Sequence, residues 1–120
     1  MKTSKRTNPD FLNGVPELLI LKLLKRQPMY GYQLVQSIRL SSDAILEFGE
    51  GCIYPILHRL EREKAVLSQK EEGGGRMRVV YRLTPAGHAR LAEGMTLWQR
   101  LTGAVRLVLE GESLGQTAHA

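Results

Sequence analysis

The sequence predicts a mainly α-helical protein with a small two-stranded β-wing and a C-terminal helix that mediates dimerisation. Three segments with helical spacing of apolar residues come first, and two short strands with a Gly-rich connection follow them. A last apolar stripe continues beyond the second strand. Because 120 residues are enough for one hydrophobic core but not for two, this last stripe needs a partner outside that core.

The first helix is predicted over residues 14–26, with Asn13 as its N-cap. It follows a basic, polar arm over residues 1–10 that we expect to be disordered. The apolar residues of the helix, Leu18 and Leu21 among them, spread around most of its circumference. Such a helix must be buried on more than one side, and a domain of this size cannot surround it alone. We therefore expect a second subunit to cover part of it.

The second helix is predicted over residues 31–40, directly after Tyr30. Its apolar members have helical spacing: Leu34, Val35 and Ile38. Residues 41–50 then form an acidic connection that contains glycine. We expect three apolar residues to anchor this connection to the core: Ile45, Leu46 and Phe48.

The third helix is amphipathic, and its apolar stripe is formed by Ile53, Ile56, Leu57 and Leu60. The opposite face carries Gly51, Pro55, His58 and Arg62, with Tyr54 and Arg59 on its flanks. Pro55 is compatible with two positions for the start of this helix. The helix could begin near Cys52, or it could begin earlier and lose one backbone hydrogen bond at Pro55. A helix with this outer face can lie in the major groove of DNA, where Tyr and Arg side chains reach phosphates or base edges. The alternative is an ordinary charged surface helix.

A β-wing is predicted after the third helix. Its first strand covers residues 66–70, and a flexible Gly-rich tip covers residues 71–76. In the second strand, four alternating residues should face the core: Met77, Val79, Tyr81 and Leu83. Glycine at the tip, as at Gly74, lets the backbone approach phosphates closely, and Arg76 and Arg78 lie beside it.

The last helix is predicted to begin at Thr84-Pro85, with Thr as N-cap and Pro as the first helical residue. We expect it to end near residue 110 and to be followed by a disordered tail over residues 111–120. Its apolar stripe is formed by Leu91, Met95, Trp98, Leu101, Val105 and Val108. From Trp98 the spacing is that of a heptad seam, which needs a partner. With Leu18 and Leu21, this stripe is the predicted dimer interface.

Net charge, cysteine count and the length of apolar runs limit the classes of function that the sequence allows. The formal net charge of +5 favours an anionic partner, such as nucleic acid or a membrane surface. A single cysteine, Cys52, permits no intrachain disulfide, which suits a reducing cytosol. No apolar run approaches the ~18 residues of a membrane span, and residues 1–10 lack the apolar core of a signal peptide. We therefore expect a cytoplasmic protein with no membrane partner.

No constellation of residues indicates catalysis. The three histidines, His58, His88 and His119, have no metal-ligand spacing with each other or with Cys52. No nucleophile–base spacing and no nucleotide-binding loop is present. The sequence thus predicts no enzyme, no metal and no cofactor. Cys52 at a helix start could be redox-active, but a small half-buried structural residue is the favoured interpretation.

Helix, helix, helix, strand, Gly/Arg tip and strand is the order of a winged helix-turn-helix, in which the third helix enters the DNA groove and the wing reaches the adjacent backbone. We therefore divide the chain into the arm (1–10), a winged helix-turn-helix domain (11–84), a dimerisation helix (85–110) and the tail (111–120). The predicted DNA-binding residues are Tyr54, His58, Arg59, Arg62, Gly74, Arg76 and Arg78. Alternatively, Arg59 or Arg62 only pairs with Glu63 or Glu50 on the surface.

The chain resembles the PadR family of transcriptional regulators over residues 12–98. The residues that carry the resemblance are Tyr30-Gly31-Tyr32, Glu50-Gly51, Tyr54-Pro55, Leu57-His58-Arg59-Leu60-Glu61, Gly74-Gly75-Arg76, Tyr81-Arg82-Leu83-Thr84 and Gly87. The resemblance implies a dimeric, mostly repressing DNA-binding protein whose last helix packs against the first helix of its partner. Two departures are Cys52, where a small hydroxyl residue is common, and the less basic wing segment Met77-Arg78-Val79-Val80.

The resemblance also gives Trp98 two interpretations. Multidrug-sensing members of the family use a tryptophan at a similar position, and two Trp98 rings facing across a dimer would form a slot for a planar aromatic ligand. Met95 beside it could adapt to varied ligands. Alternatively, Trp98 only packs the interface. The predicted function is a dimeric, sequence-specific DNA-binding regulator, a repressor released by a small-molecule effector. The alternative is a winged-helix module that binds protein without DNA.

Overall fold

The computed structural model describes the backbone of residues 3–119 and the side chains of residues 14–111. The elements in chain order are α1 (Thr3–Arg26), β1 (Met29–Tyr30), α2 (Gly31–Ser41), α3 (Glu50–Arg62), β2 (Val66–Gly73), β3 (Arg76–Leu83) and α4 (Pro85–His119). The three strands form one antiparallel sheet in the order β1-β3-β2. The predicted class, mainly helical with a small wing and a C-terminal helix, is confirmed.

The two terminal helices are longer than the sequence predicted. Helix α1 begins at Thr3 instead of residue 14, and α4 continues to His119 instead of ending near residue 110. The described backbone of the predicted arm and tail is therefore helical, and their side chains lie outside the described residues, Gly111 excepted. The predicted ends relied on Asn13 and on small residues after position 110. Such residues lower the stability of a helix by only about 1 kcal/mol or less each, so they do not by themselves end it.

The hydrophobic core lies where α1, α2 and α3 meet the inner end of the sheet. Its fully buried side chains are Ile20, Leu21, Leu34, Ile53, Leu57, Leu60 and Val66. The apolar stripe predicted for α3 is confirmed, because three of its four residues are fully buried and Ile56 packs against them. The connection between α2 and α3 contributes less than predicted. Leu46 and Phe48 pack on the core, but Ile45 is 82% exposed.

The start of α3 settles the question that Pro55 left open. The helix begins at Glu50 with Gly49 as its N-cap, and the amides of Cys52 and Ile53 both donate to the Gly49 carbonyl at 3.0 Å. Pro55 therefore lies inside the helix, where it removes the bond that position 55 would otherwise donate to the Gly51 carbonyl. Both Gly51 and Pro55 are exposed, so water can hydrate that carbonyl.

One residue, Thr84, joins the end of α3 to the start of α4. Lys64 ends α3 in the left-handed region, with φ of 64°, and the Ala65 amide donates to the Leu60 carbonyl at 2.9 Å. The Thr84 hydroxyl donates to the Lys64 carbonyl at 2.7 Å and accepts from the Gly87 amide at 3.0 Å. The predicted N-cap is thus confirmed, and it fixes where α4 leaves the domain.

The wing differs from the predicted hairpin in three respects. Both strands reach the tip, so only Gly74 and Gly75 form the turn, with φ of 58° and 77°, which favour glycine in a two-residue hairpin loop. A third strand, β1, pairs with β3 through Met29 and Tyr81. The burial of β3 does not alternate as predicted, because Met77 and Val79 are 63% and 38% exposed. The outer half of the hairpin extends past the helices and has no apolar layer to cover it.

Candidate nucleic-acid interface

The outward face of α3 is exposed along its whole length. Gly51, Pro55, His58 and Arg62 follow one another at steps of three or four residues, and all four are exposed. These positions share one side of the helix, opposite the buried stripe. The predicted outer face is therefore present, with small residues at its N-terminal end and an imidazole and a guanidinium toward its C-terminal end.

Tyr54 lies at the edge of this face and packs over the N-terminus of α2. A Cβ atom added to Gly31 would overlap the Tyr54 ring, so only glycine leaves room for the ring there. The ring centroids of Tyr54 and His58 are 6.3 Å apart. Burial, followed by the negative charge of Glu50, raises the pKa of Tyr54 above its usual value. The phenol is therefore protonated at neutral pH and can donate a hydrogen bond to an anion.

The start of α2 carries an aromatic pair whose contacts the sequence did not predict. The rings of Tyr30 and Tyr32 stack with centroids 5.9 Å apart and an interplanar angle of 6°. Arg78 of the wing lies over the Tyr30 ring, with its guanidinium carbon 5.3 Å from the centroid. The Tyr30 hydroxyl donates to Glu71 Oε1 at 3.1 Å. Tyr30 thus joins α2 to both strands of the wing, and two tyrosines around one glycine were the only signal of this in the sequence.

The two arginines near the tip of the wing are exposed, and one of them has an acidic neighbour. Arg76 and Arg78 are both exposed on β3, next to the Gly74–Gly75 turn. Glu71 stands directly opposite Arg78 across the hairpin. An acid at this position reduces the positive potential that Arg78 can offer to a phosphate.

Arg59, one of the predicted DNA contacts, forms ion pairs with carboxylates of its own chain. Its Nη2 lies 2.8 Å from Glu17 Oε1 on α1, and its Nη1 lies 3.4 Å from Glu63 Oε1. Arg90 of α4 approaches both carboxylates, with Nη1 at 2.6 Å from Glu63 and 3.8 Å from Glu17. Arg59 thus makes the surface pair with Glu63 that the alternative named, and it also pairs with Glu17 on α1. The hydrogen bond from Arg90 lowers the pKa of Glu63, and the nearby arginine charges add to it.

A second feature lies between α1 and α4, where an open groove of about 450 Å³ runs beside Trp98. Its apolar lining is formed by Val15, Leu18, Leu21, Leu97, Trp98 and Leu101, and its charged lining by Glu17 and Arg90. Met95, predicted to share the effector site with Trp98, does not line the groove. It packs partly buried against the core instead.

The predicted dimer residues differ in how far they are exposed, and α4 carries further exposed apolar residues beside them. Leu21 and Leu91 are 1% and 4% exposed within one chain, so both already pack in its own core. Farther along α4, apolar side chains are open to solvent: Leu97, Val105, Leu107, Val108 and Leu109. Val108, at 78% exposed, is the extreme case. Leu18, Trp98 and Leu101 line the groove, as does Leu21.

The described part of the chain offers neither a metal site nor a membrane-spanning helix. Within that part of the chain, no group of three or more His, Cys, Asp or Glu could hold a metal ion. Among the same residues, no helix is long and apolar enough to cross a membrane. Cys52 is half-buried, as its structural interpretation expects.

The order α1, α2, α3 and hairpin, with α3 exposed beside the wing, is that of a winged helix-turn-helix protein. Residues 20–93 match the model of the transcriptional regulator PadR-like family, and the chain belongs to that family. It is a transcriptional regulator and not an enzyme. The predicted resemblance is thereby confirmed.

Proteins that are similar to this chain in sequence or in structure include other transcriptional regulators. The chain is 44% identical over 104 residues to the transcriptional regulator Rv3488 of Mycobacterium tuberculosis. The aligned region covers 87% of this chain and 92% of that protein. A transcriptional regulator from Clostridium thermocellum has a similar structure, with a TM-score of 0.75 at 27% identity over 81% of this chain and 92% of that one. A PadR family regulator from Eggerthella lenta gives a TM-score of 0.69 at 28% identity over 92% and 98%.

Proposed function

We propose that this protein is a dimeric, sequence-specific DNA-binding repressor. In this proposal α3 enters the major groove and the wing contacts the adjacent backbone. The observation that carries it is the exposed face of α3 with His58 and Arg62, which has the Tyr54 ring at its edge and is accompanied by the exposed arginines of the wing. All of these groups donate hydrogen bonds to phosphates or to base acceptors.

The proposed contacts divide by chemistry. His58 and Arg62 are the candidates for base edges, because they occupy the centre and the C-terminal end of the outward face. Tyr54, Arg76 and Arg78, with the Gly74 backbone, are the candidates for phosphates. Arg59 is left out of the contacting set, because reaching DNA would break its hydrogen bond to Glu17. The domain limits of 11–84 for the DNA-binding part and 85–110 for the dimerisation helix belong to the same proposal.

Dimerisation is supported by the surface of α4. Several large apolar side chains there are more than half exposed, and the groove beside Trp98 opens along the same helix. Exposed apolar surface of this kind marks an interaction site. A second copy that lays its α1 and α4 against the first would cover it, and the heptad spacing from Trp98 fits a helix partner. The two α3 helices could then read half-sites about one helical turn apart.

Release by a small molecule is the last part of the proposal. The groove volume of about 450 Å³ falls within the range of small-molecule sites, and Trp98 in its wall offers a surface for stacking. A planar aromatic ligand held there would shift the dimer between two arrangements of α3. Planar cationic dyes titrated against the fluorescence of the single tryptophan test this, and no quenching by several such dyes leaves Trp98 only a packing role.

A gel-shift experiment tests DNA binding. The probe is the duplex upstream of the protein's own gene, and the control is a shuffled duplex of the same composition. The proposal expects the upstream duplex to shift at a lower protein concentration than the shuffled one. Binding to neither would favour the alternative, a winged-helix module whose partner is a protein, and equal binding to both would contradict sequence specificity.

A further inference from the structure

Four charged side chains from three helices form a closed ring, which we call the charge ring: Glu17, Arg59, Glu63 and Arg90. Arg59 bridges Glu17 at 2.8 Å and Glu63 at 3.4 Å, and Arg90 bridges Glu63 at 2.6 Å and Glu17 at 3.8 Å. Positive and negative members alternate, so every neighbour in the ring is an opposite charge. Each guanidinium serves two carboxylates, which a lysine ammonium could not do with the same fixed geometry.

These residues connect α3, the proposed DNA-contacting helix, to α4, the proposed dimerisation helix. Arg59 lies in the last turn of α3, and Glu63 is the C-cap of that helix. Glu17 belongs to α1 and Arg90 to α4. The four side chains range from 22% exposed for Glu17 to 41% for Glu63, so only the Glu17 end of the ring is shielded from water and salt. Single surface ion pairs contribute little, but a network of several can hold a defined geometry.

We infer that the charge ring sets the orientation of α3 relative to α1 and α4, and through it the half-site spacing that the dimer accepts on DNA. This inference rests on the proposed function. In a dimer held together by α1 and α4, the distance between the two α3 helices depends on how each α3 is fixed to those helices. Residues that touch no DNA then determine operator spacing, while the exposed face of α3 determines half-site sequence.

The ring also shares two members with the groove beside Trp98. Glu17 and Arg90 are its charged wall residues, whereas Arg59 and Glu63 belong to the C-terminal end of α3. A change at the groove wall therefore acts on the Glu17 carboxylate and the Arg90 guanidinium, which are the groups that contact the C-terminal end of α3. This contiguity gives the orientation of α3 a direct physical connection to the α1–α4 surface.

The test selects bound duplexes from a randomised DNA library with the full chain and with ring variants. Arg59→Gln and Glu17→Gln each open the ring and remove one charge. Arg106→Gln and Glu93→Gln, two exposed positions on α4 outside the ring, are the matched controls. The expected result is an unchanged half-site sequence, with a single spacing for wild type and controls and a several-fold broader set of spacings for the ring variants.

The double variant, Glu17→Gln with Arg59→Gln, should broaden the spacings less than the sum of the two single variants, because either substitution alone already opens the ring. An unchanged spacing in ring variants that fold overturns the inference, and so does a changed half-site sequence in Arg59→Gln, which would make Arg59 a base contact. If Arg59→Gln does not fold, Glu17→Gln carries the same expectation. A wild type that enriches no sequence overturns the proposed function, and this inference with it.

Discussion

The ring of Tyr54 on α3 occupies the space that any side chain at Gly31 on α2 would need. The two helices of the helix-turn-helix therefore meet at a glycine, and this close approach holds Tyr54 at the edge of the outward face. The pair fixes the position of α3 from its N-terminal half, as the charge ring does from its C-terminal end.

Gly31→Ala should destabilise the fold, because its methyl group would overlap Tyr54. Overpacking of this kind lowers the free energy of unfolding by about 1–3 kcal/mol. The control is Gly103→Ala on α4, where an added Cβ meets nothing within 4 Å. That substitution should raise helix stability by ~0.5–1 kcal/mol instead. Urea unfolding of both variants measures the difference, and equal effects would show that the Tyr54 contact does not constrain the fold.

Arg76→Ala should weaken binding to all DNA sequences by a similar factor. If Arg76 neutralises one phosphate, its loss should reduce the slope of log affinity against log salt by about 0.9. Binding of the upstream duplex and of its shuffled control is measured over a series of salt concentrations. A loss confined to the upstream duplex would mean that Arg76 reads bases instead.

Leu97→Glu should convert a dimer to a monomer, because it places a charge on the apolar surface of α4. Leu67→Glu on β2 is the matched control, since the two leucines are similarly exposed, at 62% and 58%, and only Leu97 lies on the proposed interface. Sedimentation at micromolar concentration separates the two outcomes. If both variants remain dimers, or if the wild type sediments as one 13.5 kDa chain, this interface is excluded.

The charge ring should make the stability of the protein sensitive to acid. The pKa of Glu63 is lowered from 4.5 in the folded state, chiefly by the hydrogen bond from Arg90. A lowered folded pKa contributes stability that is fully present well above pH 4.5 and is lost as the pH falls through that value toward the folded pKa. Thermal melting over this range should therefore show a smaller pH dependence in Glu63→Gln than in wild type. Identical pH profiles would mean that the ring does not stabilise the folded state.

Much of this fold follows from local patterns in the sequence. The α3 stripe follows from apolar residues at helical spacing, and the start of α4 follows from Thr84 and Pro85, because both depend on residues near each other in the chain. The bond between Arg59 and Glu17 joins residues 42 positions apart, so no local pattern contains it. The contact of Arg78 with Tyr30 was missed for the same reason. The exposure of Met77 depends on where the helices beneath the sheet end, which strand alternation does not encode.

The most direct test of the central claim compares two double variants that lose the same kind of surface residues. His58→Ala with Arg62→Ala removes the proposed base-reading groups, and His88→Ala with Arg106→Ala removes an exposed histidine and arginine from α4. Fluorescence anisotropy gives the affinity of each for the labelled upstream duplex and for its shuffled control. We predict that the α3 variant loses its preference for the upstream duplex, while the α4 variant keeps the wild-type preference. An α3 variant that still prefers the upstream duplex as wild type does would contradict the account.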